Sequence, residues 1–178
     1  VSTRFLSVRD EIHVDVDQFY GIEIEEFPAQ IAQVALWLVD HQMNLKVSEE
    51  FGELFLRLPL AKSPNIVHGV SALSVAWNSV CPKDRLNFIL GNPPFSGAKV
   101  MSDAQRAEIV GLLPGVKGAG VLDYVTGWFV LAARMMAGTS IRAAFVSTNS
   151  VTQGEQPGIL WPELWRCGMR TQFAHRTF

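Results

Sequence analysis

Six residues, Leu90-Gly91-Asn92-Pro93-Pro94-Phe95, restrict this chain more than any others. They follow an apolar run, Leu86 to Leu90, that reads as a strand ending at Gly91. A residue that precedes proline is pushed out of the helical region, so Asn92 and Pro93 are both expected to be extended. Neither proline carries an N–H, so this turn cannot close on its own backbone hydrogen bonds. The carbonyl of Pro93 and the carboxamide oxygen of Asn92 are then free to face a pocket together. Two convergent acceptors suit a planar amine with two N–H donors. Holding both protons favours a more tetrahedral nitrogen, with its lone pair aimed at an electrophile. Phe95 offers a flat face for a planar ring. Asn-Pro alone is common in ordinary turns. The second proline and the aromatic, placed where open α/β sheets put their ligand crevice, favour a site over a plain turn.

The flanking pattern supplies such a sheet. Phe19 to Ile24 is aromatic and β-branched and reads as a buried strand with Glu23 near its end. Glu25, Glu26 and Pro28 are first-turn residues, with Pro28 expected at the first helical position. The set Phe27, Ile31, Val34 or Ala35, and Leu38 then repeats at helical spacing to about Met43. Residues 44–64 read as a mixed connection with a hairpin around Phe51 to Leu60. Further strands are expected at Ile66–Val70, Ile141–Ser147 and Arg170–His175. Helices are expected around Asp103–Leu112, along the stripe Tyr124, Trp128, Leu131 and Met135 with Gly138 closing it, and at Trp161–Trp165. Glycines and Pro114 between Gly97 and Gly120 suggest a mobile stretch. Strands alternating with helices imply an α/β fold with mostly parallel strands.

Composition narrows the class. With 178 residues, 48% of them hydrophobic and 18% charged, the chain reads as one globular domain over 1–178 rather than a disordered segment. No apolar run approaches the roughly 18 residues that span a bilayer, so no membrane is expected as partner. The net charge of -2 is unlike the basic face of a self-sufficient DNA-binding domain. Two distant cysteines, Cys81 and Cys167, and four scattered histidines give no metal-ligand spacing, and a reducing cytoplasm is expected. The chain opens on Val1 and ends on Phe178 without a polar tail, which reads as a segment of something longer.

Asn-Pro-Pro-Phe at a strand end resembles the catalytic motif of amino-methyltransferases that use S-adenosylmethionine, chiefly N6-adenine DNA methyltransferases. Similar strings occur in enzymes that methylate glutamine side chains or guanine N2 in RNA. Tyr20 to Ala29, Ala35 to Leu38, Gly91 to Phe95, Leu122 to Val125, and Phe145 to Ser150 with Gln153 to Gln156 together resemble more than that motif. In order along the chain, they resemble the methyltransferase core of MmeI-like, large single-chain type II restriction–modification enzymes. The resemblance implies a Rossmann-like class I methyltransferase sheet. It implies that Asn92, Pro93, Pro94 and Phe95 form the catalytic loop, with Phe95 stacking a flipped base. It also implies a cofactor site in which Glu23 accepts from both ribose hydroxyls, Ile24 packs on the cofactor adenine, and Ser71 and Ala72 lie at the base edge. Two positions depart from the family pattern: Ser71 stands for an Asn or Asp, and Ala76 precedes Trp77 where an Asp is usual.

The family's Gly-rich loop lies before Tyr20, where residues 1–19 hold no glycine. The sheet is therefore expected to be incomplete, lacking its first strand, with open edges through which the chain self-associates. On the same ground this chain is expected not to bind S-adenosylmethionine tightly, whereas the full-length enzyme is expected to use it and to act on double-stranded DNA. Gly115 to Gly120 is too late in the chain to replace that loop. Lys99, Arg106 and Lys117 are candidates for phosphate contact or plain surface cations. The rival readings are methylation of a protein glutamine or an RNA amine, and a catalytically silent α/β binding module.

Overall fold

The computed structural model describes residues 12–52 and 62–175. The chain divides into two compact units, Val1–Ala72 and Leu73–Phe178. The hairpin expected around Phe51 to Leu60 falls almost wholly outside the described residues.

The first unit is a β-α-β crossover. Strand β1 (Tyr20–Glu23) leads through Glu25 into helix α1 (Glu26–Phe51), and β2 (Asn65–His68) returns parallel to β1. Tyr20 pairs with Asn65 and Glu23 with His68, so both strands end level. Pro28 is the third helical residue rather than the first, still within the turn whose N–H groups have no helical partner. The helix runs beyond Met43 to Phe51 and stops where Gly52 turns left-handed at φ 67°.

Its expected apolar stripe is not the covered face. Phe27 is 70% exposed, and Ile31, Val34 and Leu38 are also exposed, while Ala29 is buried. Apolar residues are spread around the whole helix, so hydropathy alone does not choose a face. Trp37 joins the following connection by donating its indole N–H to the Lys62 carbonyl at 2.9 Å. The Lys62 ammonium meets Asp15 at 2.8 Å and Asp17 at 3.0 Å. Those hydrogen bonds, Asp15 first, hold its pKa above the usual lysine value.

The second unit contains α2 (Trp77–Val80), β3 (Phe88–Gly91), α3 (Asp103–Leu112), α4 (Thr126–Met136), β4 (Arg142–Phe145) and α5 (Gln156–Arg166). Strands β3 and β4 are parallel, in register from Phe88 with Arg142 to Gly91 with Phe145. The described strands thus form two separate parallel pairs, one in each unit. The expected strand at Arg170–His175 does not form. After α5, Gly168 turns left-handed at φ 78°, and residues 171–175 are exposed and pair with no strand among the described residues. Alternating Thr171 and Phe173 suits a strand, but a strand also needs a partner backbone.

Helix α3 has the bounds expected from the sequence, because Ser102 and Gln105 form a reciprocal capping box. Helix α4 closes with Gly138 at φ 72°, also as expected. The stretch expected to be mobile instead builds the core. Met101, Ile109, Leu113, Ala119 and Leu122 are buried with Tyr124, Val125, Val130, Leu160 and Leu164. Gly127 on α4 has no room for a side chain, since a Cβ there would lie 2.7 Å from a Leu73 methyl and 3.0 Å from one of Ile109. Cys81 is buried, which raises its thiol pKa. No described helix is long and apolar enough to cross a membrane.

Candidate methyl-transfer loop and cofactor-facing strand end

Residues 92–97 leave the C-terminal end of β3 without regular secondary structure. The strand end is fixed on both sides. Val146 donates its N–H to the Gly91 carbonyl at 3.0 Å, extending the β3–β4 pairing by one bond. The Phe145 ring lies over Gly91, where a Cβ would sit 3.1 Å from it, and packs on Phe129 with centroids 5.2 Å apart. Glycine at 91 therefore lets an aromatic brace the strand immediately before the loop.

Within the loop, Pro93 is buried, whereas Asn92, Pro94 and Phe95 are exposed. Phe95 is 50% exposed, leaving much of its ring accessible. The Asn92 carboxamide and the Pro93 carbonyl make no hydrogen bond with any described residue. A loop with two acceptors left open, anchored through a proline ring, can receive an amine without first breaking internal bonds.

Beyond the loop, the chain is tied down closely. Tyr124 donates its N–H to the Ser96 carbonyl at 2.9 Å. Buried Asp123 accepts from the Ala98 N–H at 2.8 Å through Oδ1. Arg106 of α3 donates to the carbonyls of Ala98 and Gly120, both at 2.5 Å. Of the three candidate phosphate cations, Arg106 is thus committed to the protein backbone, while Lys99 and Lys117 stand on the surface. Tyr124 is buried in the core: its ring meets Trp128 edge-on, and its hydroxyl donates to Glu108 at 2.5 Å.

In the first unit, Glu23, Ile24, Ser71 and Ala72 lie at or beyond the C-terminal ends of the level pair β1–β2. Glu23 Oε1 accepts the N–H groups of Ile24 at 2.8 Å and Glu25 at 3.2 Å. That fixes the carboxylate and leaves Oε2 as its open oxygen. Ile24 is 62% exposed, and Ser71 and Ala72 are half-buried. The candidate residues fall in two groups, four in each unit.

Other features carry no chemistry. Gly115 to Gly120 holds Ala119 in the core, and a Cβ at Gly118 would strike Ile159 at 2.8 Å, so the segment is packing rather than a phosphate loop. A groove of about 480 Å³ runs along α5, lined by Pro157, Gly158, Trp161, Pro162, Trp165 and Thr171, with no titratable side chain in it. Among the described residues no cluster of His, Cys, Asp or Glu could hold a metal ion.

A parallel α/β chain with an open Asn-Pro-Pro-Phe loop at a strand end has the features of an amino-methyltransferase, and comparison with known proteins places it more narrowly. The model of the MmeI DNA-methyltransferase domain matches residues 2–178, and the chain belongs to that family. It is 39% identical over 168 residues to DNA methyltransferase A of Bacillus subtilis (strain 168), covering 93% of this chain and 19% of that protein. It also matches the structure of the type IIL restriction–modification enzyme MmeI in complex with DNA, with 50% identity and a TM-score of 0.84. That match covers 93% of this chain and 22% of the other. The chain therefore spans about a fifth of the length of these relatives.

The bonds of Asp123 and Arg106 to Ala98 are what sequence reading missed; Arg106 was considered only as a phosphate contact or a surface cation. Asp123 sits in the string Leu122 to Val125 that carries part of the resemblance, but nothing in its spacing reveals a bond to a residue 25 positions earlier.

Proposed function

We propose that this chain supplies the catalytic loop and part of the cofactor site of an S-adenosylmethionine-dependent methyltransferase acting on adenine N6 in double-stranded DNA, within a longer restriction–modification enzyme. The observation that carries the reading is the pair of acceptors, Asn92 Oδ1 and the Pro93 carbonyl, that no described residue bonds, on an anchored loop at the end of β3. They would hold the two amine protons, and Phe95 would stack on the extruded base. When bound, S-adenosylmethionine supplies an electrophilic methyl group. The residues present fit it in part. Glu23 Oε2 is open to accept from ribose hydroxyls, exposed Ile24 offers an apolar face, and Ser71 with Ala72 adjoins the same strand ends. The sheet is read as part of a Rossmann-like class I core. The DNA bound to MmeI supports DNA as the substrate.

By itself the 178-residue chain is expected to hold the cofactor weakly, since no glycine precedes Gly21, and to associate through exposed faces such as Phe88 and Leu90. The test supplies the full-length enzyme with labelled S-adenosylmethionine and either duplex DNA, a release-factor glutamine peptide or ribosomal RNA. Digestion of the DNA to nucleosides is expected to give labelled N6-methyl-2′-deoxyadenosine. Label in glutamine or in an RNA base instead, or in none of the three, contradicts the proposal.

A further inference from the structure

We propose that Asp123 and Arg106 are positioning residues, a two-sided clamp on Ala98 that sets where the Asn92–Phe95 loop stands. Residues 92–97 have no ladder or helix of their own, so beside buried Pro93 and the Ser96 bond their position depends on what holds each end. The near end is fixed at Gly91 by the Val146 bond and the Phe145 ring. The far end is fixed at Ala98, where one peptide donor and one peptide acceptor are gripped by side chains of opposite charge. Asp123 Oδ1 takes the N–H at 2.8 Å, and an Arg106 nitrogen reaches the carbonyl at 2.5 Å. Hydrogen bonds with one charged partner are roughly twice as strong as neutral ones. Two residues upstream, Tyr124 N–H holds Ser96 as well.

The carboxylate is not there to start a helix. An acidic residue just before α4 would ordinarily cap its free N–H groups. Here the N–H groups of Thr126 and Gly127 already go to the carbonyls of Asp123 and Tyr124, and α4 has no side-chain cap. The Asp123 side chain is directed instead to the loop. It is held there by its own backbone: Gln156 Oε1 accepts its N–H at 3.0 Å, and its carbonyl accepts the Thr126 hydroxyl at 2.6 Å. Arg106 is braced by its second bond, to Gly120. Two separated parts of the chain, at Arg106 and Asp123, thus meet at one residue beside the loop, on its two adjoining peptide groups. A packing role alone does not account for groups of opposite charge on both sides of that residue.

The kinetic half of this inference rests on the function proposed above; the structural half does not. The experiment compares the full-length enzyme with its Asp123→Ala and Asp123→Asn variants, by backbone hydrogen exchange across 92–99 and by single-turnover methyl transfer. Alanine is expected to speed exchange at 96–99 and to slow methyl transfer by about 10- to 100-fold, the scale of a displacement near 1 Å, with cofactor affinity unchanged. Asparagine keeps an oxygen for the Ala98 N–H and is expected to recover most of both losses. If the alanine variant does not fold, Arg106→Gln is expected to act in the same direction by weakening the carbonyl side. Unchanged exchange at 96–99 in a folded variant overturns the clamp, as does slow transfer in Asp123→Asn with normal exchange. A wild-type enzyme that transfers no methyl group to DNA refutes the function reading alone, and the exchange data then decide the clamp.

Discussion

Replacing Asn92 with alanine in the full-length enzyme is expected to lower the turnover of methyl transfer by about 100-fold or more, while the affinities for cofactor and DNA change little. The expectation follows from where the side chain stands. It is exposed on a loop that needs no support from it, and its carboxamide bonds to no described residue. Removing it should leave the fold intact, because the loop is held by buried Pro93 and by the bonds to Ser96 and Ala98. What it removes is an acceptor that matters when charge develops on the amine nitrogen. Losing one preorganised group of that kind costs about 100- to 1,000-fold in turnover. A loss in turnover without a loss in binding marks an interaction made chiefly in the transition state. Steady-state kinetics with labelled cofactor check this. An Asn92→Ala enzyme within threefold of wild type would show that the open carboxamide has no part in the reaction.

The second large effect concerns stability. Leu160 on α5 is fully buried among the core residues of the second unit, which also include Leu122, Val125 and Leu164. Leu160→Ala removes three heavy atoms there and leaves a cavity, which typically costs about 2–5 kcal/mol. Against a usual total of about 5–15 kcal/mol, that is a substantial share. Denaturant unfolding followed by tryptophan fluorescence is expected to show a clearly lowered midpoint, since Trp161 adjoins the site in sequence. A midpoint equal to wild type would mean that α5 is not part of this core.

The parallel α/β class was legible because β-branched and apolar runs such as Tyr20–Glu23 and Phe88–Gly91 are short and alternate with helical stripes. Helix Asp103–Leu112 was legible because its start is a local event, a serine and a glutamine three residues apart. The covered face of α1 was not. Phe27, Ile31, Val34 and Leu38 have the right spacing, but spacing records which residues share a face and not what lies opposite. The strand expected at Arg170–His175 failed for the same reason: composition can favour an extended chain but cannot supply a neighbour. The glycines between Gly97 and Gly120 suggested mobility. Gly115 and Gly118 instead turn left-handed, and Gly118 has no room for a side chain, in the stretch that brings Leu113, Ala119 and Leu122 into the core.

At the candidate site the same division holds. The two prolines after Asn92 act on their own neighbours, so an open loop with free acceptors could be derived from six residues. The partial use of Glu23 could not, because it depends on how the chain turns at Ile24 and Glu25. One carboxylate oxygen accepts the N–H groups of that turn, which leaves Oε2 without a bond to any described residue. The clamp on Ala98 joins residues far apart in the sequence and has no local signature at all.

The most direct test is a crystal structure of the full-length enzyme with a non-reactive cofactor analogue and its DNA site. The account predicts an adenine turned out of the helix, its exocyclic nitrogen within about 3.2 Å of both Asn92 Oδ1 and the Pro93 carbonyl, with Phe95 against the ring. An extruded base whose amine contacts neither oxygen, or one seated elsewhere on the chain, would contradict it.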